Sequence, residues 1–156
     1  MPQQTINEAA LGYTHTFAFD WRDLQTTGFL STIGAANQRV IGLFRPGDVV
    51  TDVLVQQIVD PAGTSDLTLD VGFTSADPDD FIDNLDLDAM TQAAYNTGDG
   101  FVGTDSGAAT TSNVINGQLR NATTSTSILM ELNGTVANLT AGSWVIAWRQ
   151  LAAPTS

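Results

Sequence analysis

Between residues 46 and 83 the chain reads as two runs in which apolar and polar residues alternate, broken by turn residues. A period of two belongs to a strand, because successive side chains point to opposite faces. The first run is introduced by Arg45-Pro46-Gly47-Asp48, which suits a type II turn: proline sets φ at the first corner and glycine supplies positive φ at the second. Over 49–59, Val49, Thr51, Val53, Val55, Gln57 and Val59 share one face, and Val50, Asp52, Leu54, Gln56 and Ile58 share the other. Both faces mix apolar with polar, so a bulge or a partly covered second face is expected. The second run is cleaner, with Leu67, Leu69, Val71 and Phe73 set against Thr68, Asp70 and Gly72. It empties into an acidic Asp-Pro segment.

The same period recurs elsewhere. His15, Phe17, Phe19 and Trp21 alternate with Thr16, Ala18, Asp20 and Arg22, and Ile128, Met130 and Leu132 alternate with Leu129 and Glu131. Trp144, Ile146 and Trp148 stand together opposite Val145, Ala147 and Arg149, and 39–45 forms a further short strand. Residues 24–38 read as a loop or weak strand, 81–94 is the stretch where a short helix competes, and 96–113 is a Gly-, Thr- and Ser-rich surface loop. Short strands separated by turn signals indicate an all-β, single-domain β-sandwich or barrel. Residues 1–13 form an extended polar N-terminal arm ahead of a β-sandwich domain over 14–156.

Composition narrows the function. The chain has 156 residues, 42% of them hydrophobic and 14% charged, enough apolar content for one core. Cysteine is absent, which excludes disulfides, thiolate metal sites and a thiol nucleophile, and fits synthesis in a reducing cytoplasm. The net charge is −12, and Arg22, Arg39, Arg45, Arg120 and Arg149 are the only basic residues besides His15. Such a chain repels phosphate backbones and anionic lipid, so neither nucleic acid nor membrane is expected as a partner. The first residues lack the basic and apolar regions of a secretory signal, and no apolar run approaches the roughly 20 residues that span a bilayer.

Candidate chemistry is sparse. The Asp-rich stretch offers Asp77, Asp79, Asp80 and Asp83 as Ca²⁺ ligands, since calcium takes several carboxylate oxygens. The spacing departs from an EF-hand loop, and the competing reading is a solvated loop in which Asp77-Pro78 starts a turn and Asp79 or Asp80 caps a helical turn. The expectation is no metal site and no cofactor. His15 is the one histidine available as a base and lies in an aromatic strand, where a buried or interface imidazole is expected rather than a triad member. No nucleophile elbow, P-loop or zinc-protease motif is present, so no enzyme and no catalytic residue is expected. Trp21, Trp144 and Trp148 suit either a sugar-stacking platform or core, and the company of Ile146 favours core.

Four segments in order resemble the small head decoration, or cement, proteins of tailed phages. They are Pro-Gly-Asp-Val-Val-Thr-Asp-Val-Leu-Val at 46–55, Leu-Thr-Leu-Asp-Val-Gly-Phe at 67–73, Asp-Pro-Asp-Asp-Phe-Ile-Asp at 77–83, and Leu-Thr-Ala-Gly-Ser-Trp-Val-Ile at 139–146. Residues 15–21 and 24–38 have no counterpart in that pattern. The resemblance implies a jelly-roll-like sandwich on the outer surface of an icosahedral capsid, bridging major capsid protein subunits, as a homotrimer. It implies no catalytic residue. The alternative is a glycan- or Ca²⁺-binding β-sandwich module of a virion fibre or an extracellular surface.

Overall fold

The computed structural model describes residues 12–33, 35–73, 78–90, 94–96, 112–115, 118–121 and 126–152. Two antiparallel sheets pack face to face as a β-sandwich. The strands are β1 (His15–Asp20), β2 (Ser31–Ile33), β3 (Ala35–Phe44), β4 (Val49–Ala62), β5 (Thr68–Gly72), β6 (Ile82–Asp86), β7 (Ala94–Asn96), β8 (Ser112–Ile115), β9 (Gln118–Asn121), β10 (Thr126–Asn133) and β11 (Ala141–Leu151). One sheet runs β1-β11-β4-β9-β8, with β7 also pairing β4, and the other runs β2-β3-β10-β5-β6.

The pairing is nested. β1 pairs β11, β3 pairs β10, β4 pairs β9 and β5 pairs β6, as in one long antiparallel hairpin. The lateral pairs β4–β11 and β5–β10 then roll that hairpin into two layers. This is the jelly-roll arrangement, and it matches the sandwich expected from the alternation.

The turn at 45–48 forms as its residues require. Gly47 has φ 85°, the Asp48 N–H donates to the Arg45 carbonyl at 3.0 Å, and the Asp48 carboxylate accepts the Arg45 N–H at 2.9 Å. The mixed faces of β4 are explained by a bulge. Arg149 pairs Asp52 but Gln150 pairs Val50, so Thr51 is extra and the phase resets. Val50 therefore joins Val53 and Val55 in the core instead of lying opposite them. From the facing sheet Leu69, Val71, Ile128, Met130 and Leu132 complete the interior.

The aromatic strand at the start ends earlier than its alternation implies. Asp20 accepts the N–H groups of Arg22 and Asp23, while the Asp23 carboxylate accepts the Asp20 N–H at 2.9 Å. This reciprocal capping box starts a one-turn helix, α1 (Trp21–Gln25), which buries Leu24. The stretch 24–38, expected as a loop or weak strand, holds the end of the helical turn, a short loop, β2 and the first part of β3. Among the described residues no helix is long and apolar enough to cross a membrane.

Candidate functional site

The acidic stretch is the first place to look for chemistry, and the structure turns most of its carboxylates to architectural use. Asp80 is buried, with its carboxylate accepting the Phe73 N–H at 2.8 Å. The backbone of 78–80 lies against the outer face of the second sheet at Gly72. A Cβ there would stand 2.5 Å from the Pro78 carbonyl carbon and 2.6 Å from the Asp80 nitrogen. Beside it, the outward-facing Leu129, the ladder partner of Gly72, is buried.

The solvated loop with a capped helical turn is thus not what forms at 79–86. β6 occupies the helix-competent stretch. The ladder between β5 and β6 slips between Leu69–Leu85 and Val71–Ile82, leaving Asn84 at φ 49°. Buried Asp70 fills that gap by accepting the Asn84 N–H, and its other oxygen accepts Asn133 Nδ2 at 2.8 Å. A carboxylate that satisfies a bulged backbone makes strand pairing cheaper than a helix that would leave β5 at an open edge.

Of the four calcium candidates, Asp77 lies outside the described residues, Asp79 is half-buried, Asp80 faces Phe73, and exposed Asp83 accepts Asn84 Nδ2. Among the described residues no three His, Cys, Asp or Glu side chains gather as a metal would need. Further along, Asp86 accepts the N–H groups of Asp88 and Ala89, and Asp88 accepts the Leu67 N–H at 2.7 Å.

His15 is not buried within the chain. It sits exposed on an edge strand, its ring stacked on Trp148 at 5.2 Å and its Nδ1 2.8 Å from the Thr14 hydroxyl. Trp144 and Trp148 are core, as their company with Ile146 implies: they are 1% and 3% exposed, which removes them from any sugar platform. Trp144 Nε1 donates to Gln57 Oε1 at 2.8 Å, and Gln57 Nε2 donates to the Met90 carbonyl and to Asp60. Trp21 is half-buried under the Arg22 guanidinium. The long loop expected at 96–113 lies outside the described residues over 97–111, flanked by strand residues Asn96 and Ser112.

What sequence reasoning misses is a sorting of charge by topology. The end of the sandwich where β1, β4 and β6 finish gathers Asp20, Asp23, Asp60, Asp66, Asp86 and Asp88 around the single cation Arg22, among the described residues. Hydrogen bonds tie this end together, from Gln25 Nε2 to the Leu139 carbonyl and from the Thr140 N–H to the Ala62 carbonyl. The opposite end holds the 45–48 turn, with exposed Arg45 and half-buried Arg149, and carries Leu43 and Leu151 at 45% and 52% exposure. The contributing residues are scattered along the chain, so only the strand register reveals the grouping. At the same end Tyr13 packs on Leu54 and Ala147 on the outer face of the first sheet, its hydroxyl donating to Asp52 at 2.8 Å. Arg149 Nε donates to the Gly12 carbonyl, so residues 12–13 are fastened to the sheet.

Within the acidic end, Asp66 is held by two threonines. Donation from the Thr64 hydroxyl, then from the Thr135 N–H and hydroxyl, holds its pKa below the ordinary 3.8. A depressed carboxylate pKa stabilises the fold above the unfolded-chain value, and that contribution is lost as pH falls through the folded value. Carboxyl NMR should place the Asp66 midpoint below 3.8. Thr135→Val should move it upward; a midpoint that does not move would contradict the assignment.

No protein-family model matches the sequence, and no curated protein matches it. Among solved structures, the chain is similar to one in the capsid asymmetric unit of cyanophage Pam1, at 18% identity and a TM-score of 0.51, covering 99% of this chain and 100% of that one. A chain in the acidic stable capsid structure of Helicobacter pylori bacteriophage KHP30 is similar at 12% identity and a TM-score of 0.41, covering 90% and 95%, too distant to add to the argument. At 18% identity the likeness to the Pam1 chain establishes the shared fold.

Proposed function

We propose that the chain is a structural virion protein, a capsid decoration or cement protein on the outer surface of a tailed-phage head. In this role it bridges neighbouring major capsid protein subunits and has no enzymatic activity. The observation that carries the reading is the end-to-end likeness to a chain of a phage capsid asymmetric unit, with neither chain overhanging the other. The ordered segments at 46–55, 67–73, 77–83 and 139–146 support it independently. In the structure, 46–55 forms the turn and the first half of β4, 67–73 carries β5, 78–83 supplies the clamp over Gly72 and the start of β6, and 139–146 leads into β11.

The protein is made in the host cytoplasm and assembles as a homotrimer on the shell. A net charge of −12 per subunit makes trimerisation salt-sensitive and requires apolar contact area to offset repulsion, at roughly 25 cal/mol per Å². That charge also suits the outside of a head better than the side facing packaged DNA. The arm at 1–13 and the loop at 96–113 make the bridging contacts. The arm's last two residues and the flanks of the loop, Asn96 and Ser112, all lie toward the end that holds the 45–48 turn.

Binding that favours only the assembled shell stabilises that state by mass action. The protein should therefore be an oligomer by light scattering and should co-sediment with heads that lack it. Failure to co-sediment, together with clear binding on a glycan array, would sink the proposal. The acidic stretch is a latch rather than a calcium site. Titration with Ca²⁺ should give no heat and no change in melting temperature; a saturable heat would reverse that reading.

A further inference from the structure

We infer that the protein sits end-on, with the end that bears the 45–48 turn seated on the outer face of the shell and the acidic end pointing to solvent. The inference rests on the capsid reading and adds the docking surface and its orientation.

Charge and apolar exposure are separated along the sandwich. Among the described residues the acidic end exposes or half-exposes six aspartates against one arginine. Seating that end on a protein surface would strip water from six carboxylates that have one cation among them, and the cost of desolvating that net negative charge opposes binding. The same carboxylates facing solvent cost nothing and keep neighbouring particles apart.

The other end has the composition of a binding surface. Leu43 stands on the outer rim of one sheet and Leu151 on the outer rim of the other, both about half exposed. Exposed Arg45 and Pro46 lie between them on the turn that joins the sheets. Apolar residues with arginine are what interface centres favour. The turn is also held rigidly. Asp48 is buried and accepts from both the Arg45 N–H and Gln150 Nε2, and Gln150 Nε2 also donates to the Leu43 carbonyl. Leu43, the turn and the last residues of β11 are thereby locked as one unit, which lowers the entropy lost on docking. Half-buried Asp52, the ladder partner of Arg149, also lies at this end, so the partner surface is apolar with mixed charge rather than strongly basic or acidic.

The chain contains no cysteine, so one can be placed at either end and labelled on the folded protein. Leu151→Cys marks the docking end, and Ala137→Cys, at an exposed position in the turn of 3-10 helix at 136–138, marks the acidic end. Each variant, with and without a polyethylene-glycol maleimide, is tested for co-sedimentation with heads that lack the protein. Attachment at 151 should lower binding about tenfold or more, and attachment at 137 should leave it unchanged. The reverse pattern, or equal effects at both positions, overturns the end-on orientation while leaving the capsid reading intact. If the unlabelled variants and the parent protein all fail to bind heads, the capsid reading itself falls and the inference falls with it.

Discussion

Replacing Trp144 with alanine is expected to lower the unfolding free energy by about 3–5 kcal/mol, the cost of removing a large aromatic from a closed core. The indole is 1% exposed on β11, between β1 and β4, and stacks on Phe19 at 5.4 Å. Its N–H also fixes the Gln57 amide, which in turn holds the Met90 carbonyl against the sheet. For a chain of this length each kcal/mol lowers the melting temperature by roughly 2–4 °C, so a drop on the order of 10 °C is expected. Trp144→Phe separates the two roles. It keeps most of the apolar area and forfeits the hydrogen bond, for about 1–2 kcal/mol. Thermal unfolding followed by circular dichroism reads both, and a Trp144→Ala loss below about 1 kcal/mol would mean that the side chain is not in a packed core.

Gly72→Ala is expected to cost about 2 kcal/mol, although the change adds one methyl group. The glycine's φ is ordinary, so the cost is steric: the new carbon would fall within 2.5–2.7 Å of the Pro78 carbonyl carbon and of the Asp80 nitrogen and carboxylate. Backbone on both sides cannot rotate away as a flexible side chain would. The segment 78–80 must lift, and the Asp80–Phe73 hydrogen bond goes with it. Hydrogen exchange should show the Phe73 amide losing protection while amides in β11 keep theirs. Uniform loss of protection would point to global destabilisation instead of a released latch. Asp80→Asn should show the same local effect more weakly, since an amide oxygen still accepts.

Much of this fold was legible in the residues because alternation and turn chemistry are local properties. The turn at 45–48, strand β10 at Thr126–Asn133, the bulge in β4 and the burial of Trp144 and Trp148 all follow from neighbouring residue types. What was not legible depends on partners distant in sequence. The alternation from His15 ran on through Trp21, and only the reciprocal bonds of Asp20 and Asp23 convert its end into a helical turn. The stretch around 81–86 has a composition that suits a helix or a strand. Asp70, fourteen residues before Asn84, decides for the strand. The aspartates weighed as calcium ligands were indistinguishable, by spacing, from aspartates that bond backbone amides. The grouping of Asp60, Asp66, Asp86 and Asp88 with Asp20 and Asp23 at one end follows from the jelly-roll register, which a linear reading does not contain.

In the proposed role the sandwich stabilises a capsid by binding its assembled outer surface. The most direct test is calorimetry of phage heads lacking the protein, with the purified protein added in increasing amounts. The disassembly temperature of the heads should rise and then saturate, while dissociated capsid subunits bind little or none of the protein. A disassembly temperature that stays constant at saturating protein would contradict the account.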